Sequence, residues 1–284
     1  MDRTKENSSL KTVGIVKVVV LAAVFLIYMF PFYMLLLNAF KYKRDIIKMP
    51  LSWGGKNGFT LNNFAEAFQK MNFMTVFLNS VIITGVSCLL IILFSSMCAY
   101  IFVRKDWKIN KFLFLLMLFS MVVPFQVVMI PLISIYGGTF GILNHRATLI
   151  FMHVGFSMSM SVFMFHGFIR GGVPIALEEA AGIDGAGPLR IFFQIVFPLL
   201  KPTIATLVIL HALALWNDYL LPSLILTDKD LYTIPIATKL FQGAYSNDMD
   251  LLMAALVMAI IPAIILYLAL QKYIIAGVVA GAVK

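Results

Sequence analysis

From Val18 to Leu37 the chain runs for twenty residues without a charged side chain. A helix of that length crosses the hydrocarbon of a bilayer, and so long an apolar run has no place on the surface of a water-soluble fold. Five comparable runs follow: Val76 to Phe102, Phe112 to Tyr136, Ala147 to Phe168, Ile204 to Leu221 and Leu251 to Leu270. Of the 284 residues 61% are hydrophobic and 12% charged, against about 25% charged in soluble domains. The expected fold is therefore all-α, a polytopic membrane protein with six transmembrane helices and both termini on one side.

The net charge of +9 is spread over loops. It carries no basic helix or aromatic-basic platform, so it points to anionic lipid as a partner and to no nucleic acid. With the amino terminus inside, the inner segments hold 13 of the 22 Lys and Arg. This reading makes the chain a multi-pass protein of the cell membrane with both termini cytoplasmic. Lys41, Lys43, Arg44 and Lys48 oppose it at the first span, whereas the loop with Arg104, Lys105, Lys108 and Lys111 restores it. The expected divisions are a cytoplasmic segment 1–17, a retained anchor 18–37, an extracytoplasmic loop 38–75, a five-helix core 76–270 and a cytoplasmic tail 271–284. Pro31, Pro124, Pro131 and Pro262 lie in or beside the runs, where each removes a helix hydrogen bond. Cys88 and Cys98 share one run without metal-ligand spacing, so no metal is expected.

Two connections are long. In 38–75, LSWGGKNGFT followed by LNNFAEAF reads as a turn, an Asn cap and a short amphipathic helix. In 169–203 lies EEAAGIDGAG, a polar, glycine-rich stretch on the inner side. Pro174 suits the first turn of a helix, and Glu178 and Glu179 follow near its positive end. Ala180 and Ala181 keep one face small, and Gly182, Gly185 and Gly187 permit a left-handed or tightly bent backbone before PLRIFFQIVFP. Local physics leaves two roles open, a solvated connection or a small-faced helix that fits a partner's groove.

Glu179, Ala180, Ala181, Asp184, Gly185 and Ala186, followed by Ile195 and Pro198, resemble the EAA signature of ABC importer membrane subunits. That signature runs E-A-A, three residues, G, nine residues, I-x-L-P, and Phe197 stands where Leu is usual. NSVIIT at 79–84, VPFQVVMIPL at 123–132, LWNDYLLP at 215–222, TIPIATKLFQG at 233–243 and the ending AGVVAGAVK are similar to the carbohydrate-uptake branch, particularly its maltose-type second permease. The resemblance implies the type I ABC importer transmembrane-domain fold. It also implies a second permease subunit, two ATPase subunits and an extracytoplasmic sugar-binding protein as partners. The signature residues would dock on an ATPase subunit, and the tail, through Gly281 and Lys284, would reach the ATPase dimer. On this reading the chain is a transport subunit with no catalytic residue and no cofactor of its own, and ATP and Mg sit on the ATPase subunits. Gly54, Gly55 and Lys56 come nearest to a phosphate-cradling loop, but Pro50 and Asn57 occupy positions that need Gly and Ser or Thr.

Polar groups inside apolar runs are candidates for a substrate path. Gln126, Asn217 and Asp218, with Trp216 and Tyr219 beside them, offer the amides, carboxylate and aromatic surface a sugar requires. His153, Ser157, Ser159, Ser161 and His211 are further candidates. Helix-to-helix hydrogen bonding, or a gate at the outer interface for Asn217 and Asp218, are the other roles open to them. A proton-coupled secondary transporter would use His153, His211 and Asp218, and an intramembrane hydrolase would need Ser157 with His153. Neither calls for the polar glycine loop, whereas an importer of the same family for a non-sugar solute would.

Overall fold

The computed structural model describes residues 3–243 and 248–282. In chain order the helices are α1 (Arg3–Ala39), α2 (Lys43–Lys48), α3 (Asn62–Lys70), α4 (Phe73–Arg104), α5 (Lys108–Ser120), α6 (Phe125–Ile133) and α7 (Arg146–Gly172). Then come α8 (Ile175–Ile183), α9 (Pro188–Ile191), α10 (Phe197–Leu199), α11 (Lys201–Trp216), α12 (Leu220–Ile225), α13 (Ile234–Thr238) and α14 (Met249–Ala282). Single helices Gly14–Ala39, Phe73–Arg104, Arg146–Gly172 and Met249–Ala269 are long and apolar enough to cross a membrane. Among the described residues two bent pairs bring the number to six where each pair is counted as one span: α5 with Phe125–Thr139, at 99°, and Pro188–Leu199 with α11, at 74°.

The third apolar run, expected as one span, is therefore broken. Pro124 has an extended backbone at φ −63° and ψ 136°, and a proline disfavours helix in the residue before it. The second bend falls at Leu200, between Pro198 and the Pro202 of α11's first turn, after a π-helical turn over Phe192–Val196. The fifth run also ends early, because α11 stops at Trp216 and a turn carries Asn217 and Asp218. At the carboxyl end α14 continues helically past residue 270 to Ala282; Gly281 lies in that helix and Lys284 outside the described residues.

One compact unit comprises Asn72–Ala237 with the chain from Ile261 onward. Here α4 packs mainly against α7. Ser80, Thr84, Ser87, Cys88, Ser95, Ser96 and Ala99 are buried along α4 at helical spacing, and small side chains let membrane helices approach closely. Ser95 returns its hydroxyl to the Ile91 carbonyl and Ser96 to that of Leu93. The core continues through Phe165, Ile169, Phe192, Val196, Leu200 and Leu207. At the other end of α4, Asn79 Nδ2 donates to the carbonyls of Asp230 and Tyr232 at 2.8 and 2.9 Å, and Ser80 Oγ accepts from the Ile234 amide at 2.9 Å.

The other unit joins Met1–Met71 to Thr238–Ile260. Its centre is Lys41, a fully buried lysine whose Nζ donates to Asn38 Oδ1 at 3.2 Å and to the carbonyls of Met49 and Pro50 at 3.1 and 3.2 Å. Burial pulls its ammonium below the usual lysine range, and the nearby Asp45 pulls the other way. The expected Asn cap of the amphipathic helix is not there. The N-cap of α3 is Leu61, the Thr60 hydroxyl accepts from the Asn62 amide, and Asn63 spends its amide on the Ala39 and Lys41 carbonyls. Asp45 is also buried and accepts from the backbone and side chain of Asn57. Gly55 lies so close that a Cβ there would sit 2.0 Å from Asp45 Oδ2 and 2.5 Å from Asp45 Cβ. Replacing Gly55 with Ala must displace that carboxylate, and overpacking of this kind costs about 1–3 kcal/mol. The purified Gly55→Ala variant is therefore expected to melt at lower temperature in detergent, whereas Lys56→Ala, at an exposed neighbour, leaves the melting point unchanged.

Candidate functional site

The polar stretch folds into α8 and its exit turn. Pro174 sits at the N-cap with φ −62° and ψ 128°, so the chain arrives extended and turns at once into helix. At the other end Asp184 is the C-cap and Gly185 takes φ +82°. The Gly185 amide bonds the Gly182 carbonyl at 3.1 Å and the Ala186 amide bonds that of Ala181 at 2.9 Å. These two bonds, 5→2 and 6→1, make a Schellman cap closed by a left-handed glycine. Ala181, Asp184, Gly185 and Ala186 thus act together as a backbone device that stops a helix in one turn. Of the three glycines expected to bend the chain, Gly185 alone needs a positive φ: Gly182 is helical and Gly187 is extended at φ −72° and ψ 163°.

Neighbouring glutamates meet different surroundings, Glu178 buried and Glu179 exposed. Glu178 is buried, with Oε1 2.7 Å from Arg104 Nη2 and 2.8 Å from Arg104 Nε, and its Oε2 accepts from the Tyr100 hydroxyl at 2.8 Å. Arg104 Nη2 also donates to the Val173 carbonyl at 2.8 Å, just ahead of Pro174. Two residues at the end of α4, Tyr100 and Arg104, therefore hold the base of α8. Sequence reasoning placed Glu178 with Glu179 as helix-start charges and missed this anchor. The available signal was Tyr100 and Arg104, four residues apart at the end of an apolar run, with a carboxylate just past the run Ala147 to Phe168. Glu179 and Ala180 are exposed, Ala181 and Ala186 half-buried and Asp184 exposed. Around them Ile175, Leu177, Ile183 and Leu189 present bare apolar surface, Ile183 at 88% exposure. Pro198 is half-buried beside the second bend.

The candidate path residues do not gather in one cavity. An apolar cavity of about 760 Å³ between α4, α11 and α14 is lined by Trp216 among them, with Phe77 set edge-on to the indole at 6.2 Å. Gln126 is exposed on α6, Tyr219 is exposed, and Asn217 returns its side-chain amide to the Leu213 carbonyl. Asp218 is half-buried, and its Oδ2 lies 3.2 Å from Nε2 of the buried His153. His153 thus faces Asp218 rather than Ser157, and its Nδ1 has no partner. The serines of α7 divide as helix geometry requires. Ser161 reaches His211 Nε2 at 2.6 Å, Ser159 meets Ser120 at 2.8 Å, and half-buried Ser157 gives its carbonyl to Ser161.

Comparison with known proteins bears on this arrangement. Residues 91–279 match the family described as binding-protein-dependent transport system inner membrane component. The chain is 39% identical over 282 residues, 99% of each chain, to the melibiose/raffinose/stachyose import permease protein MelC of Bacillus subtilis. It is also 39% identical over 259 residues, 91% of this chain and 93% of the relative, to the probable starch degradation products transport system permease protein AmyC of Thermoanaerobacterium thermosulfurigenes. Its fold is similar to a chain of a bacterial ABC transporter involved in import of the acidic polysaccharide alginate. That likeness has a TM-score of 0.76 at 22% identity, over 93% of this chain and 97% of the other.

The Glu178–Arg104 pair is mostly shielded, with side chains 9% and 13% exposed. Removing one partner of such a pair strands the other charge, at a cost of about 3–5 kcal/mol. Arg104→Met is expected to lower thermal stability and membrane abundance together, as measured by fluorescence-detected size exclusion. The double variant Arg104→Met with Glu178→Gln should recover part of the loss.

Proposed function

The chain belongs to the family of binding-protein-dependent transport system inner membrane components, and from that premise we propose that it is a permease subunit of an ATP-driven sugar importer. The observation that carries this reading is α8, an apolar-rimmed helix with a sharp glycine exit whose base is fixed to α4. Such a surface fits a groove on an ATPase subunit. The sugar assignment is supported by the relatives, which are named for import of melibiose-type oligosaccharides and of starch degradation products. In this reading the chain works with a second permease, two ATPase subunits that bind ATP and Mg, and an external sugar-binding protein. Its tail, with Gly281 and Lys284, contacts the ATPase dimer.

Mechanically, the proposal divides the two glutamates. Closure of the ATPase subunits moves the apolar rim of α8, Glu179 meets donors in the ATPase groove, and Glu178 passes the displacement to α4 through Arg104. Because α4 packs along α7, the displacement reaches the helix that carries His153. The His153–Asp218 contact, at the end of α11, then serves as a gate on the substrate path, with Trp216, Asn217, Tyr219, Gln126 and Ser157 as further path residues. Rigid-body rocking of bent spans is a common form of such a transition.

Two measurements test these assignments. Gly185→Val forces a β-branched residue to φ +82°, which costs an L-residue about 1–2 kcal/mol, while nothing lies within 4 Å to collide with the new side chain. Together with Glu179→Lys it should leave membrane abundance normal yet uncouple ATP hydrolysis from uptake in the assembled importer. Coupled transport at the parental rate in both variants would remove the docking role. Separately, Asp218→Asn should slow sugar uptake about tenfold through loss of a charge-assisted contact, with assembly intact. Unchanged uptake would make the pair a helix-to-helix bond only.

A further inference from the structure

Between α4, α5 and α7, at the end of α7 from which α8 emerges, lies a second kind of cavity, of about 580 Å³. Its polar side is formed by Asp106, Lys111, His166 and Arg170, with Asn110, whose side-chain amide donates to the Lys105 carbonyl, and its apolar side by Phe102, Val103, Phe114 and Leu115. None of these residues takes part in the α8 anchor or in the substrate path. Lys111 Nζ is 2.7 Å from Asp106 Oδ1, an ion pair on the exposed rim. Lys111 holds the Asp106 carboxyl below the usual carboxylate range, so this acid stays ionised. His166 stacks on Phe114, ring centroids 4.2 Å apart and planes inclined by 22°. One helical turn further along α7 stands Arg170, which has no carboxylate partner among the described residues.

The charges leave one cation over: Asp106 offsets Lys111, and the guanidinium of Arg170 remains. A single phosphodiester anion matches that excess, and a guanidinium offers it two parallel donors. The apolar wall separates two sources of such an anion. Free phosphate gains nothing from Phe102, Val103, Phe114 and Leu115, whereas the glycerol and upper acyl chains of a lipid cover them. The location agrees, since these residues lie where helices leave the apolar zone and where the exposed Trp107 and Lys108 follow α4; basic pockets between membrane helices at that depth take anionic headgroups. We propose that this cavity is a binding site for one anionic phospholipid, its phosphodiester on Arg170 and its chains along the Phe102–Phe114 wall. The proposal needs only that the chain lie in a bilayer, so it stands or falls apart from the sugar reading.

The test uses the full purified chain in detergent, titrated with phosphatidylglycerol or phosphatidylcholine and followed by native mass spectrometry of the retained lipid. Phosphatidylglycerol should be retained in preference to phosphatidylcholine. Arg170→Gln should weaken its apparent affinity about fivefold, the value of one basic residue at a membrane surface, and Asp106→Asn should strengthen it. The two opposite signs make a general loss of folding distinguishable, and the melting point of each variant is measured alongside. Equal retention of the two lipids would overturn the proposal. So would an unchanged affinity in Arg170→Gln, or displacement of the lipid by inorganic phosphate at concentrations comparable to the lipid's own.

Discussion

A bilayer offers the peptide backbone no hydrogen-bond partner, and the sharp bends of the apolar helices in this chain answer to that constraint. At the two sharp bends inside apolar sequence stand prolines, which have no amide to leave unpaired. Pro124 opens α6, and Pro198 and Pro202 flank the bend before α11. Charged and polar side chains obey the same rule. Glu178 and Arg104, His153 and Asp218, and Ser161 and His211 meet in pairs, and Lys41 is surrounded by oxygen acceptors. Exceptions are few among the described residues, namely Ser87 Oγ, Arg146 Nε, His153 Nδ1 and Thr233 Oγ1.

The loop at α8 shows how one short sequence satisfies two different demands. Adjacent positions on a helix point about 100° apart, so Glu178 and Glu179 cannot serve the same face. One is desolvated and tied to α4, and the other is left in the open beside Ile183 and Leu177. The signature that identifies the loop is in large part a statement about backbone. Ala181, Asp184, Gly185 and Ala186 describe a helix that ends within one turn, and a residue with a side chain at Gly185 would strain that turn.

What the sequence made legible follows the strength of each physical signal. Apolar runs of about twenty residues are unambiguous, so the helical class and membrane spans could be read directly. The left-handed turn at Gly185 could be read because few residues tolerate it. The break of the third run could not, since Pro124 alone does not distinguish a kink from a 99° bend. Polar pairings were hidden for a different reason. Ser161 and His211 look like scattered polar residues until α7 is laid against α11, and Glu178 looks like its neighbour until Arg104, at the end of α4, comes within 2.7 Å. The expected Asn cap of α3 gives way to Leu61, one residue earlier, because the Thr60 hydroxyl accepts from the Asn62 amide and Asn63 donates to the Ala39 and Lys41 carbonyls.

Tyr100 and Arg104 are separated by four residues and so stand on the same side of α4, and both close on one carboxylate. A socket of that kind reads helical phase. Were α4 longer or shorter by one residue ahead of Tyr100, both prongs would swing by about 100° around the helix axis and shift by about 1.5 Å along it, and neither would find Glu178. The orientation of α8 is consequently indexed to the residue count of a helix it does not belong to. Insertions and deletions in α4 upstream of the socket are therefore constrained, as are substitutions within it, whereas the loop between Arg104 and α5 lies beyond this index.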